Sequence, residues 1–356
     1  MRKLASIRRI SEIKDIPGKD RIGLATVDGW HVIVQKKAFE VNGLCVYCEI
    51  DSVLPEKPEF EFLRSKNFRI RTMKMAGCIS QGICFPLSVL PEGNYNEGDD
   101  VTEIIGVTQY EATRDVEREP VKKTKYPKWL MRYAWFRSLV LRKPKKRGFP
   151  SFISKTDETR IQNAPFFLEF KEPWVATEKI DGQSGTFALL RHRHFWPFKD
   201  SFEYIVCSRN LRIPTPDTSS YWSVSKIYNI EFVLKTLIGS NEWVAIQGEC
   251  VGPGIQGNKY KKEDYDLYVF NVINSSEGRL PSPEAKEIML DRGLKFVPIL
   301  DTNCNLFGLS VDEVVEKSDG KSVVGDTLRE GIVYRSKDGK NSFKAVSNKF
   351  LIHYNE

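Results

Sequence analysis

The first 108 residues contain short strand-like segments and no long helical pattern, and this feature most constrains the fold. The segments alternate or run apolar, with Gly, Asp-Gly and Pro between them, as in RIGLATVDGWHVIVQK, LCVYCEI and RIRTMKM…ISQGICFP. This pattern predicts a small closed β-barrel over residues 1–108. The OB-fold is the leading interpretation because it needs only about five strands, and the SH3-like barrel is the alternative.

Residues 166–356 mix strand-like and helical segments. Strands predominate and helices follow at irregular intervals, which predicts an α+β domain with mixed antiparallel sheets and not a doubly wound parallel sheet. PSPEAKEIMLDRG is typical of a helix that ends near Gly293. SVDEVVEK predicts another helix, with Ser310 and Glu313 spaced as a capping box.

A basic connector, residues 109–165, separates these two regions. Residues 121–148 contain eleven Lys or Arg and no acid, so the rest of the chain has 43 basic against 47 acidic side chains. A helix is predicted from Pro127, with an apolar stripe formed by Trp129, Tyr133, Phe136 and Val140. Its basic side suits nucleic-acid phosphates, a membrane surface or plain solvent beside a neighbouring domain. The following TDETRIQN predicts a short helix that carries Arg160.

Composition indicates a cytoplasmic protein. No run of about 18 apolar residues is present, so we expect no membrane span. The N-terminal MRKLASIRRISEIKD lacks the apolar core of a secretory signal. Seven cysteines, an odd number, indicate reduced thiols, and Cys45-x-x-Cys48 has no second pair at zinc spacing.

The stretch TEKIDGQSGTF places a single amine, Lys179, in a loop of small residues. A lysine acts as a nucleophile only when its amine, with a free pKa of about 10.4, loses its proton. An aspartate paired with Lys179 would hold that proton, so Asp181 is expected to have another task, such as holding a hydrated Mg²⁺. Gly182 and Gly185 would let a bulky ligand approach the backbone. Taken alone, K-x-D-G is a weak signal, and a solvated turn is the more probable meaning of the isolated motif.

Further residues follow Lys179 in a fixed order. They are Arg209 in SRN, Glu249 in GEC, Phe270 in YVFNV, Glu330 in EGIVY and Lys344 in FKAVSNKF. This is the order of the covalent nucleotidyltransferase motifs. The chain resembles ATP-dependent RNA ligases of the family 5 type, in which an N-terminal OB-fold domain precedes an ATP-grasp-like nucleotidyltransferase domain. DNA ligases and capping enzymes carry their OB-fold domain after the last motif, whereas only twelve residues follow Lys344 here.

The resemblance implies a role for each motif residue. Lys179 would attack the α-phosphate of ATP, with Glu178 and Ile180 beside it in the nucleotide site. Asp181, Glu249 and Glu330 would arrange a hydrated Mg²⁺ or Mn²⁺, and Glu249 would also bind the ribose. Phe270 would stack on the adenine, while Arg209 and Lys344 would neutralise phosphate charge.

Plainer interpretations of the same residues stay open. Glu249 could be a charge beside a glycine turn, Phe270 plain core, and Lys344 a solvated strand lysine. Many ligases have K-x-K in the last motif, but Val346 occupies the third position here, and Lys349 is a possible substitute. Asn271 stands where an acid often follows the aromatic residue. GPGIQGNKY is interpreted as a turn beside the site.

Nucleic-acid contacts are predicted for five basic side chains, namely Arg69, Arg71, Lys74, Arg160 and Lys349. For each of them a solvated surface charge is an equal alternative. The expected function is an ATP-dependent RNA ligase that seals 3′-OH and 5′-phosphate ends at duplex nicks, with RNA or an RNA-containing duplex as its partner and no stable protein partner. The alternatives are a DNA ligase, a capping-type guanylyltransferase and a non-catalytic nucleic-acid-binding protein.

Overall fold

The computed structural model describes residues 3–110, 148–194, 199–213 and 219–355. The predicted helix from Pro127 and nearly all of the basic segment lie outside the described residues. The described residues form two compact units. The first lies within Met1–Glu111, Glu158–Ile180 and Pro298–Glu356, and the second within Ala112–Asp157 and Asp181–Val297. These units do not coincide with the predicted domains, whose boundaries at 108 and 165 stay a prediction.

The nineteen strands of the described residues are, in chain order, β1 Ala5–Ile16, β2 Lys19–Val27, β3 Trp30–Gln35, β4 Leu44–Cys48, β5 Ser52–Val53, β6 Met73–Met75, β7 Cys78–Ser80, β8 Ile83–Phe85, β9 Thr108–Gln109, β10 Trp174–Lys179, β11 Gln183–His192, β12 Ser201–Cys207, β13 Trp243–Val251, β14 Asp266–Asn274, β15 Gly278–Arg279, β16 Lys295–Phe296, β17 Ile299–Cys304, β18 Gly331–Ser336 and β19 Ser342–Val346. The α-helices there are α1 Thr102–Ile105, α2 Ser220–Ile227, α3 Ile230–Leu237, α4 Ser282–Leu290, α5 Val311–Lys317 and α6 Asn348–His353. The 3₁₀ helices are Pro58–Lys66, Leu87–Val89, Ile161–Asn163, Pro165–Glu169 and Gln256–Asn258. No helix among the described residues is both long and apolar enough to cross a membrane.

The N-terminal region forms a five-stranded antiparallel sheet in the order β3-β2-β1-β4-β8. The inward side chains of these strands build one core, in which Ile7, Trp30 and Tyr47 are almost fully buried. The number of strands agrees with the barrel predicted for residues 1–108. Cys45 and Cys48 are both buried free thiols of this core.

A second sheet of the first unit has the order β17-β10-β18-β19. One face is apolar and packs with α5 around a core that contains Trp174, Ala176, Ile332, Tyr334, Phe343 and Ala345. The predicted capping box is confirmed, because Ser310 Oγ accepts from the Glu313 amide while Glu313 bonds back to the Ser310 amide.

The prediction of a helix that carries Arg160 is wrong. Arg160 has extended backbone angles and only precedes the 3₁₀ helix Ile161–Asn163. Its backbone forms a parallel bridge with Lys344, and the Thr159 carbonyl accepts from the Lys344 amide at 2.8 Å. Pairing with a strand edge therefore replaces the local helical bonds that the capping pattern indicated.

The second unit contains a sheet in the order β12-β11-β13-β14-β15, with β16 parallel to β14. Ala188, Cys207 and Ala245 on one face pack with Ile153. The alternating residues Phe187 and Val244 are buried too, and α2 and α3 contact these strands. Helices therefore cover one face of the sheet, and the described connector residues before Asp157 lie along the other.

Candidate active site

The predicted site residues fall into both units, and each group is described in its own unit. In the first unit, residues alternate across the sheet of β10, β18 and β19. Trp174 and Ala176 face the core, so Thr177 and Lys179 face the opposite side. By register, Lys344 lies opposite Val333, which lies opposite Thr177. Lys179 and Lys344 therefore project from one face, with Cα atoms roughly 10–12 Å apart by strand spacing.

Lys179 is held by Glu330. Its Nζ lies 2.6 Å from each carboxylate oxygen, and the two side chains are 25% and 14% exposed. The contact follows from register, because Lys179 is opposite Gly331, the residue directly after Glu330. A Cβ on Gly331 would lie 2.3 Å from the Ala345 carbonyl oxygen, so only glycine allows this strand spacing. These short charge-assisted bonds stabilise a lysine in its ammonium form.

Glu178 and Ile180, predicted in the nucleotide site, are both buried. The Glu178 carboxylate accepts bonds from Ser322 Oγ and from the Val323 amide at 2.9 Å. Burial raises the pKa of Glu178 above its usual range, and these two bonds partly oppose the shift. Glu178, the residue before Lys179, thus fixes the end of β10 to the loop that contains Ser322 and Val323.

Val346, in the place of a second motif lysine, is 3% exposed and packs with Phe350 and Leu351 of α6. The proposed substitute, Lys349, is 71% exposed at the start of α6, and its Nζ lies 3.3 Å from Asp319. Position 346 is therefore part of an apolar core in this chain, which explains why valine and not a second lysine is found there.

Replacing Val346 with lysine should destabilise the fold. An ammonium at this buried position would lose its hydration without gaining a partner, so we expect a loss of about 2–4 kcal/mol in the free energy of unfolding. Urea denaturation of the variant beside Val346→Ile, which keeps the apolar character, measures the difference. Equal stability of the two variants would contradict the packing role.

In the second unit, Asp181 forms an ion pair with Lys259, and both side chains are about nine-tenths buried. The Asp181 amide also donates to the Tyr260 hydroxyl at 2.8 Å. Sequence reasoning placed a turn in GPGIQGNKY but missed these two partners. The only signal in the sequence was a lysine next to a tyrosine in that loop.

Glu249 lies in β13 opposite Ser184 of β11 and is half-buried. A Cβ on Gly182 would lie 2.4 Å from the Cys250 carbonyl oxygen and 2.9 Å from Glu249 Cγ. A Cβ on Gly185 would press on Tyr221 and Cys250. The small residues after Lys179 thus permit close packing of protein atoms, and the ligand approach expected from sequence stays a prediction.

Phe270 occupies an irregularity of β14. Gln247 of β13 is opposite Asn271 and the next residue, Gly248, is opposite Val269, so Phe270 is the extra residue of a β-bulge. It is half-buried, whereas both of its neighbours are buried. Bulges redirect side chains and are frequent beside active sites, so this geometry favours a ligand role over plain core. Asn271 instead donates to Gln247 Oε1 at 2.8 Å within the sheet.

Arg209 follows β12 and forms an ion pair with Asp157 of the connector. Its side chain is 35% exposed, so the guanidinium has access to solvent while one carboxylate holds it. The TDETR stretch therefore supplies the partner of a predicted phosphate-binding arginine.

Comparisons with known proteins decide the family. A family model described as an OB-fold domain matches residues 4–87, and one described as RNA ligase matches residues 172–346. The apo form of a Naegleria gruberi RNA ligase mutant is 30% identical with a TM-score of 0.80, covering 99% of this chain and 98% of that one. The chain belongs to the RNA ligase family.

Two further solved structures are similar over the same length. Naegleria gruberi RNA ligase with pyrophosphate is 30% identical with a TM-score of 0.79, covering 99% of this chain and 98% of that one. A mutant of that protein with ATP and Mn is 29% identical with a TM-score of 0.78, and 98% of each chain is covered. No curated protein matches the chain. The OB-fold predicted for the N-terminal region and the nucleotidyltransferase fold predicted after it are both confirmed for this ligase.

The carboxylates of this ligase suit a hard divalent cation. Glu330 binds the Lys179 ammonium and Asp181 the Lys259 ammonium, so each of these positions already accommodates a positive charge. Carboxylate oxygens are the ligands that Mg²⁺ and Mn²⁺ prefer. Among the described residues, no cluster of three His, Cys, Asp or Glu is arranged as a metal site.

The basic residues predicted to contact nucleic acid have varied surroundings in this ligase. Arg69 bonds Asp51 at 2.9 Å and its guanidinium lies 3.5 Å from the Tyr110 ring centre. Arg160 is buried, with Asp51 at 3.7 Å and the Trp30 ring beneath it. Arg71 donates to the Asn355 carbonyl, and Lys74 is exposed. The nucleic-acid role of all these residues stays a prediction.

Proposed function

We propose that this protein is an ATP-dependent RNA ligase that joins a 3′-OH to a 5′-phosphate at nicks in a duplex, through an AMP group carried on Lys179. The observation that carries the proposal is the Lys179–Glu330 pair at the end of β10, with Lys344 on the same sheet face. Relatives of 29–30% identity were solved with ATP and Mn, with AMP and Mn and with pyrophosphate. These compounds are the substrate, the transferred group and the leaving group of enzyme adenylylation.

The first step forms a bond between Lys179 Nζ and the α-phosphorus of ATP and breaks the bond to pyrophosphate, which leaves. The Lys179 ammonium, which the Glu330 carboxylate stabilises, must lose one proton to solvent before the attack and a second as the N–P bond forms. The resemblance to RNA ligases assigns Glu330, Asp181 and Glu249 to Mg²⁺ or Mn²⁺. The positive charge of such an ion would lower the affinity of the Lys179 amine for its proton.

Other residues bind and orient the nucleotide. Phe270, redirected by its bulge, provides an aromatic face for adenine, an interaction of about 1–3 kcal/mol per base. Lys344 and Arg209 neutralise phosphate charge as it shifts toward the leaving group.

Two steps on the polynucleotide follow. An oxygen of the 5′-phosphate attacks the AMP phosphorus and forms a 5′–5′ pyrophosphate link. The bond from that phosphorus to Lys179 Nζ breaks, and the nitrogen takes up a proton and leaves as the amine. The 3′-OH then attacks the 5′-phosphorus, so that a phosphodiester bond forms, AMP leaves and the hydroxyl proton is released.

Labelling with radioactive nucleotide tests the first step. We expect protein incubated with magnesium and ATP labelled at the α-phosphate to carry an acid-labile adduct on Lys179, and the same reaction with GTP to give little label. Labelling by GTP alone would favour a capping-type enzyme, and absence of any label would refute the proposal.

Nicked duplexes test the substrate class. Ribose and deoxyribose are varied separately in the 3′-OH strand, the 5′-phosphate strand and the template, and sealing is followed on gels. Because the chain belongs to the RNA ligase family, we expect nicks with ribose at the joined ends to be sealed faster than all-DNA nicks. Equal sealing of all-DNA nicks would instead indicate a DNA ligase.

A further inference from the structure

Arg335 is a buried cation on the sheet face that carries the nucleophile. It lies in β18, where alternation places it with Val333 on the side away from the apolar core. The side chain is only 3% exposed. A guanidinium stays charged even when buried, so its burial requires compensation from specific partners.

The partners of Arg335 come from two directions. On one side, Nη1 donates to Thr177 Oγ1 at 3.2 Å, and Thr177 is two residues before Lys179 in β10. On the other side, Nη2 lies 3.5 Å from the carboxylate of Glu158, which is 16% exposed. The planar fork of arginine suits this arrangement because its nitrogens point toward separate acceptors.

Glu158 extends the network to β19. Its second oxygen accepts from Ser342 Oγ at 2.6 Å, and Ser342 is the cross-strand neighbour of Arg335. The next residue, Thr159, accepts the Lys344 amide through its carbonyl at 2.8 Å. The chain from Glu158 to Arg160 thus runs beside the edge strand that carries Lys344.

We propose that Arg335 is a positioning residue that fixes Lys179 and Lys344 relative to each other. It joins the strand of the nucleophile, through Thr177, to the segment that holds the Lys344 backbone, through Glu158. Both lysines must approach the same phosphate group in the reaction proposed above, on which this inference rests. Because misplacement of reacting groups by about 1 Å costs on the order of 10²-fold in rate, a link of this kind acts on the rate of the chemical step.

Four variants and one control test this role. Arg335→Met removes the charge, Arg335→Lys keeps it without the planar fork, and Glu158→Gln weakens the link to β19. The fourth variant combines Arg335→Met with Glu158→Gln. The control is Arg191→Met, which removes a part-buried arginine of β11 that pairs with Asp200. Single-turnover adenylylation is measured over a range of ATP concentrations, together with the melting temperature, and rates are normalised to folded protein.

We expect Arg335→Met to lower the maximal adenylylation rate by about 30-fold. The ATP concentration that gives half of the maximal rate should change by less than about threefold. Arg335→Lys should recover part of the rate because an ammonium still reaches one of the two partners. The double variant should be no slower than Arg335→Met, since both changes break one link. The control should stay within about twofold of the unaltered protein.

Three outcomes would overturn the proposal. A normal maximal rate in folded Arg335→Met would show a role in stability alone. If Arg335→Met changed only the ATP concentration that gives half of the maximal rate, Arg335 would bind ATP directly. If the rate losses of the two single variants multiplied in the double variant, Arg335 and Glu158 would act independently. Failure of the proposed function itself is distinguishable, because the unaltered protein would then take no label from ATP.

Discussion

We expect arginine in place of Lys179 to abolish the proposed self-adenylylation, with a fall of about 10⁴-fold or more in the label transferred from ATP. The substitution keeps the positive charge that Glu330 binds at 2.6 Å, so the sheet should remain folded. A guanidinium does not lose its proton in proteins and therefore offers no lone pair to the α-phosphorus. Labelling by ATP in magnesium, followed by gel separation, measures the loss.

A second lysine of the same unit provides the control for this prediction. Lys337 is exposed and donates to Asn303, so Lys337→Arg should label at the normal rate. The melting temperature of Lys179→Arg should stay within about 3 °C of the unaltered protein, because the charge is retained. If Lys179→Arg still accepted AMP, another side chain would be the nucleophile.

We expect glutamine in place of Glu330 to lower the proposed adenylylation by about 10²- to 10³-fold. The amide has the shape of the carboxylate but no charge, so it neither orients the Lys179 amine through two charge-assisted bonds nor attracts a divalent cation. The rate of label transfer at saturating ATP, measured over a range of magnesium concentrations, should show a lower maximum and a higher magnesium requirement.

A matched glutamate separates this effect from a general loss of charge. Glu316 is exposed on α5 in the same unit, and Glu316→Gln should leave both quantities unchanged. If the Glu330→Gln protein kept a normal maximal rate and a normal magnesium requirement, Glu330 would have no role in adenylylation beyond its contact with the Lys179 side chain.

The order of the motifs predicted much of the candidate site, because the resemblance to RNA ligases assigns a residue type to each motif. The alternation of β10 and β19 also follows from sequence, since Trp174, Phe343 and Ala345 mark the buried face and leave Lys179 and Lys344 on the other. The capping box at Ser310 could also be predicted from sequence, because its two partners are only three residues apart.

The partners of the site residues could not be predicted in this way. Lys179 and Glu330 are 151 residues apart, and Lys259 and Asp181 are 78 apart. Such contacts depend on which strands become neighbours in a sheet, and a local pattern of apolar residues does not predict those neighbours. The TDETR stretch shows the difference most clearly, because its capping signal was overridden by pairing with β19.

Sequence by itself determined the residue types of this ligase: an amine, carboxylates, an aromatic ring and cations in a fixed order, on segments whose alternation separates a buried face from a polar one. Tertiary structure alone decided that Glu330 holds the amine, that Phe270 is the extra residue of a bulge and that Arg335 connects two strands. The physical reason is that burial patterns depend on neighbours along the chain, whereas ion pairs and strand register depend on distances that only the packed sheets bring below about 4 Å.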